Sequence, residues 1–238
     1  MNFDSPEYIN QQFQLYKEFL ISKVKSVSDG KPIAYILGGQ GASGKSDLIN
    51  LIDSKYSNRQ FLIINGDDYR AFHPDNKKLM NENATAYSEK TQLYSNIFTE
   101  NLIKEAINGK YNVIIEGTMR NSQTPFNTAR LLHDNGFEVH AAVIAAHPKI
   151  TEISIYCRYQ NEVNNKGFGR LADISSHNMA AANIGKSVDY LHDTKSVDTI
   201  HIYKSFPLKE IFVTALKMDN GIARKSQVPL LVQNEKDK

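Results

Sequence analysis

Residues Gly39-Gln40-Gly41-Ala42-Ser43-Gly44-Lys45-Ser46 fill the pattern G-x-x-x-x-G-K-[ST], the spacing of a loop that cradles phosphate. Glycines let such a loop turn its backbone N–H groups inward around polyphosphate oxygens, and the N-terminus of a following helix adds partial positive charge. In that arrangement Lys45 reaches the β- and γ-phosphates of ATP or GTP, and the Ser46 hydroxyl meets Mg²⁺. A glycine turn that only joins strand to helix needs neither the lysine nor the serine.

Three further groups can act on a phosphate held there. Asn65-Gly66-Asp67-Asp68 offers two adjacent carboxylates after an apolar run, and a carboxylate can accept the proton of an attacking hydroxyl. The competing reading is that one or both aspartates cap a helix or form a turn. Glu116 ends the apolar run Val113-Ile114-Ile115, where a charge is costly without a partner, a metal or a polar ligand; the bland partner is Arg120. Arg158 and Arg170 can close on a nucleotide as a lid, because guanidinium forks match phosphoryl oxygens; the plain alternative is two solvated surface residues. The seven histidines and the single cysteine show no metal-ligand spacing, so no structural zinc is expected.

These residues need strands and helices to hold them. Apolar runs of strand length at Ile33 to Leu37, Phe61 to Asn65, Val113 to Glu116, Val139 to Ala145 and Thr199 to Tyr203 alternate with helical patterns, which predicts an α/β fold. Its core is a mostly parallel five-stranded sheet with helices on both faces. Helices are expected over Asp47 to Tyr56, Lys90 to Asn108, Thr124 to Asn135, Ser176 to Leu191 and Pro207 to Lys217, with another opened by His147-Pro148 and carrying Arg158. Four strand exits coincide with the groups above, and open α/β sheets bind ligands at those exits.

The 238-residue chain, 41% hydrophobic, is enough for one sizeable core. We expect a single domain over residues 1–218, with a helical extension across residues 8–25, and a flexible tail over 219–238. A net charge of +2 from 28 basic and 26 acidic side chains gives no broad electrostatic footprint for nucleic acid. The lone Cys157, the lack of a leader-like N-terminus and the lack of a run of roughly 18 apolar residues point to a cytoplasmic chain with no membrane span.

Several linked stretches, in one order from about residue 33 to residue 203, resemble the zeta toxin family of bacterial toxin–antitoxin systems. They are G-G-Q-x-G-x-G-K-[ST] at Gly38 to Ser46, D-x-[FY]-[KR]-x-x-H-P at Asp67, Tyr69, Arg70, His73 and Pro74, and Y-S-x-x-x-T-E at Tyr94, Ser95, Thr99 and Glu100. E-G-T-x-R at Glu116, Gly117, Thr118 and Arg120, a T-A pair at Thr128 and Ala129, and R-Y at Arg158 and Tyr159 complete the set. The resemblance implies a P-loop kinase fold and transfer of the γ-phosphate of ATP or GTP to the 3'-hydroxyl of UDP-N-acetylglucosamine or a related UDP-sugar, which blocks cell-wall synthesis. By position, Asp67 becomes the base, Lys45 the phosphate ligand and Arg158 with Arg170 the charge-neutralising pair. Asp67, Glu100, Glu116, Thr118, Arg120 and Thr128 would line the sugar-nucleotide pocket, and a small antitoxin would be the protein partner. This chain has Asn65 where many relatives are acidic, and an extra Asp68, so the base is Asp67 or Asp68. Another small-molecule P-loop kinase or a non-catalytic nucleotide-binding module are the alternatives; the guanine-reading N-K-x-D is absent, since Gly167 and Phe168 follow Asn165-Lys166.

Overall fold

A computed structural model describes residues 2–56, 59–83 and 86–215. In chain order it contains α1 (Pro6–Ile21), β1 (Ile33–Gly38), α2 (Lys45–Ser54), β2 (Phe61–Asn65), the short α3 (Gly66–Tyr69), α4 (Asn76–Glu82) and α5 (Tyr87–Lys90), and α6 (Gln92–Gly109). There follow β3 (Asn112–Glu116), α7 (Gln123–Asp134), β4 (Glu138–Ala145), α8 (Pro148–Lys166), α9 (Ile174–Asp193), β5 (Thr199–Lys204) and β6 (Lys209–Ala215).

The strands form one sheet in the order β2-β3-β1-β4-β5-β6, parallel except for the antiparallel β6. β1 is central. The chain leaves it for the β2 edge, returns to β3 beside it and then crosses to β4 on its other side, so the crevice at its carboxyl end is the switch point where α/β sheets hold ligands. All six β1 residues are buried, as a strand covered on both faces requires. One face carries Ile36, Ile64, Ile115 and Val143 against Phe98, Leu102, Leu132, Ile184 and Val188. The other carries Tyr35, Leu37, Ile114 and Ile144 against Leu48 and Ile52 of α2.

The five expected strands all form, and a sixth joins them. The helix expected over Pro207 to Lys217 is instead β6, paired with β5 from Lys204↔Lys209 to Thr199↔Ala215; residues 216–217 and the expected tail over 219–238 lie outside the described residues. Leu208, Ile211, Phe212 and Ala215 have helical spacing, but so short an apolar run does not distinguish helix from strand. The exposed ladder of β5 decides, and Pro207 serves the reversal after β5 rather than a helix start. The N-terminal extension is one helix, α1, whose buried Phe13 meets Phe98 of α6 edge to face at 5.4 Å.

Candidate active site

The glycine-rich loop leaves β1 and enters α2. Gly44 takes φ +96° as the N-cap of α2 and Ala42 takes φ +58°, a left-handed pair that bends the backbone into a concave turn. Gly39 is fixed by space, since a Cβ there would lie 2.5 Å from Ser43 Oγ. That Oγ is buried and has no hydrogen-bond partner among the described residues. Ser205, in the β5–β6 turn, braces the loop from outside by donating to the Ser43 carbonyl at 2.8 Å. The loop therefore has the shape and the spare donor that a phosphate group needs.

Lys45 opens α2 and is 8% exposed. Its Nζ donates to the carbonyls of Gly39 at 3.0 Å and Gln40 at 3.1 Å, and lies 3.7 Å from Glu116 Oε1 at the end of β3. Burial lowers the lysine pKa, and the Glu116 and Asp67 charges oppose that shift. Burial likewise raises the Glu116 pKa, with Lys45 opposing it. Each therefore supplies the charge that makes the other's burial tolerable. The bland expectation for Glu116 is thereby corrected: its partner is Lys45, not Arg120. Ser46 is exposed at the second position of α2, where its hydroxyl can meet a metal carried by a nucleotide.

Asp67 stands in the first turn of α3, beyond β2. Asn65, not an aspartate, caps this turn by accepting from the Asp67 N–H at 3.1 Å. The aspartate carboxylates are thus left for other work. Asp67 receives Arg170 on both oxygens, Nη1 to Oδ1 at 2.6 Å and Nη2 to Oδ2 at 2.7 Å, and Arg70 Nε on Oδ1 at 2.9 Å. Burial opposes its ionisation, but Arg170 and then Arg70 outweigh that and hold the carboxyl well below the usual range. Burial and the Asp67 charge push Asp68 the other way. The two neighbours have diverged electrostatically, and Asp67 is the one set among cations and felt by Lys45.

Arg70 is the residue that sequence reading missed as part of the site. Buried in the 3₁₀ turn after α3, it also donates to the Ser88 carbonyl at 2.6 Å, Thr91 Oγ1 at 3.2 Å and Gln92 Oε1 at 3.0 Å. Its signal was the i,i+3 spacing from Asp67, which places both on one side of a helical turn. The remaining motif residues support this segment. His73 meets Asp4 at 3.1 Å, the Tyr94 hydroxyl donates to the Phe3 carbonyl at 2.9 Å, and Ser95 and Thr99 crowd Gly66 so closely that a Cβ would lie 2.5 Å from Ser95 Oγ.

The other expected site residues are distributed more widely. Arg158 is exposed on α8, and its charge reaches Lys45. Thr118 is half-buried in the turn after β3, and Arg120 donates to Ser176 Oγ of α9 at 2.9 Å. Glu100 is exposed on α6, next to Thr99, and the Thr128 hydroxyl is turned back onto the Thr124 carbonyl of α7 at 3.0 Å. The Gln40 side chain, placed with the phosphate loop by its motif, departs from that expectation: it is fully buried and points to the β4–α8 junction, donating to the Ala146 carbonyl at 2.7 Å. Among the described residues no group of three or more His, Cys, Asp or Glu could hold a metal ion.

The zeta toxin family profile matches residues 18–228. The chain is 30% identical over 204 residues to toxin PezT of Streptococcus pneumoniae, covering 83% of this chain and 79% of that one. It is 28% identical over 198 residues to toxin zeta of Enterococcus hirae, covering 80% and 68%. A solved structure from the PezAT chromosomal toxin–antitoxin system of S. pneumoniae superposes with a TM-score of 0.76 at 23% identity, over all of this chain and 96% of the other, and shows the same fold.

Proposed function

The chain belongs to the zeta toxin family, and from that premise we propose that it transfers the γ-phosphate of ATP or GTP to the 3'-hydroxyl of UDP-N-acetylglucosamine or a related UDP-sugar. The observation that carries the reading is the convergence of Lys45, Glu116 and Asp67 from the carboxyl ends of β1, β3 and β2. A triphosphate cradle and an ionised carboxylate are thereby brought to one crevice. The Gly39 to Ser46 loop would hold the triphosphate, with Lys45 on its β- and γ-oxygens.

In the transfer, the acceptor oxygen bonds to the γ-phosphorus while the bond from that phosphorus to the β,γ-bridging oxygen breaks. The acceptor proton passes to Asp67, whose depressed pKa keeps it ionised and suits it to orienting a hydroxyl more than to holding a proton for long. Lys45, Arg158 and Arg170 offset the charge on the phosphoryl oxygens. Ser46 would hold a Mg²⁺ ion arriving with the nucleotide, which would supply further charge neutralisation. Glu100, Glu116, Thr118, Arg120 and Thr128 would contact the sugar nucleotide.

A small antitoxin that covers the nucleotide crevice is part of the same proposal; it is supported by the toxin–antitoxin system to which the S. pneumoniae structure belongs. No described helix is long and apolar enough to cross a membrane, and we place the reaction in the cytoplasm. The test is incubation with ATP or GTP, Mg²⁺ and a panel of UDP-sugars, followed by mass spectrometry of the sugar nucleotides. A product heavier by one phosphoryl group is expected. Nucleotide binding without transfer to any UDP-sugar would redirect the reading to another small-molecule acceptor.

A further inference from the structure

Three fully or nearly fully buried polar side chains, Gln40, Thr151 and His177, form a connected chain beneath the phosphate loop. Gln40 Nε2 donates to the Ala146 carbonyl at 2.7 Å and to Thr151 Oγ1 at 3.3 Å. Thr151 Oγ1 lies 3.0 Å from the Pro148 carbonyl and 2.8 Å from His177 Nε2. A carbonyl only accepts, so the donor end of the Gln40 amide must face Ala146. His177 Nδ1 lies 3.0 Å from Asn178 Oδ1, which only accepts, so the neutral ring carries its proton on Nδ1 and its Nε2 accepts the threonine proton, while a lone pair of Thr151 Oγ1 receives Gln40. The chain has one consistent direction, running from Gln40 through the Thr151 hydroxyl to His177 and Asn178.

These contacts lie on the stripe of α8 that carries Arg158. Thr151, Ile155 and Arg158 are spaced i, i+4, i+7, which stacks them along one helix face. Thr151 meets Gln40 of the loop. One turn on, Ile155 packs so close to Gly41 that a Cβ there would lie 3.2 Å from its Cδ1. One turn further, Arg158 acts on Lys45. His177 adds the first turns of α9, a few residues after Arg170.

We infer that Thr151 and His177 are positioning residues: with Gln40 they fix the register of α8 against the phosphate loop, and so set where Arg158 meets the γ-phosphate. Gln40 thereby serves the reaction through α8, not by touching phosphate with its side chain. The inference rests on the kinase reading above and assigns the buried triad a part in it.

The test is Thr151→Val, which keeps the side-chain shape and removes the hydroxyl, read by nucleotide affinity and by transfer to a UDP-sugar. Thr151→Val should lower kcat about tenfold and reduce the preference for ATP over ADP, with ADP affinity unchanged. Thr151→Ser should restore both. In an Arg158→Ala background Thr151→Val should change nothing further, because the residue it positions is gone. His177→Gln, which can still offer an acceptor near the Nε2 position, should stay near wild type, while His177→Leu should repeat the Thr151→Val loss; this pair decides the matter if Thr151→Val does not fold. Unchanged kcat and ATP preference in Thr151→Val and His177→Leu, or losses that add to that of Arg158→Ala, would overturn the inference. A wild-type protein that binds no nucleotide overturns instead the kinase reading on which it rests.

Discussion

Arg170 grips Asp67 through both carboxylate oxygens, at 2.6 and 2.7 Å, across 103 residues of sequence. The group proposed as base and a group proposed to neutralise phosphoryl charge thus hold each other. A γ-phosphate that draws Arg170 away would free an Asp67 oxygen for the acceptor hydroxyl, so the two events are coupled through one ion pair.

The ion pair has a pH signature. Asp67 has a depressed pKa in the folded chain, so its contribution to stability is present above the unfolded value of about 3.9 and is lost as pH falls through the folded value. Arg170→Ala should raise the Asp67 pKa toward the ordinary range, leaving Arg70 as the cation bonded to the carboxylate. Denaturant unfolding between neutral and acid pH should show wild type losing more stability than the variant. Because Asp67 is 46% exposed, the difference should be modest, about 0.2–1 kcal/mol.

Asp67→Asn keeps the side-chain shape and removes the proton acceptor. Transfer should fall by about 10²–10⁴-fold, while nucleotide affinity measured by calorimetry stays close to wild type. Loss of nucleotide binding with transfer per bound nucleotide retained would assign Asp67 to the phosphate cradle, and Asp68→Asn would then be examined as the base variant.

Lys45→Met should weaken nucleotide binding by about 10–100-fold, the loss of one charged hydrogen-bonding group worth ~1.5–3 kcal/mol. It also leaves Glu116 buried without its cation, so the Glu116 pKa should rise further. A raised carboxyl pKa favours the folded state below the unfolded value, and that advantage is lost as pH rises through the folded one. Thermal stability of Lys45→Met should therefore fall more steeply than wild type between acid and neutral pH, and Lys45→Met combined with Glu116→Gln should remove the excess slope.

Phe98 of α6 stacks on Tyr69 at 5.7 Å and on Phe72 at 5.0 Å and meets Phe13 of α1. Phe98→Ala should cost about 3–5 kcal/mol in denaturant unfolding. It should also impair transfer in whatever protein remains folded, because Tyr69 and Phe72 anchor the segment that carries Asp67 and Arg70.

The sequence by itself determined the features whose information is local. The phosphate loop is eight consecutive residues between a strand and a helix, and the five parallel strands are continuous apolar runs, so backbone preference and burial pattern sufficed to read them. It also determined the family, because the linked motifs keep their order along the chain. Tertiary structure alone decided the partners. Glu116 turned to Lys45 rather than to the nearby Arg120, Asn65 took the capping role open to the aspartates, and Gln40 reached Thr151 across 111 residues. It likewise made Lys209–Ala215 a strand, since a short apolar run with mixed periodicity takes the conformation that an open β5 edge offers. The physical reason is the same in each case. A charged or polar side chain is satisfied by whichever group the packed elements bring within about 3 Å, and that distance is set by the assembled sheet and its helices, not by spacing along the chain.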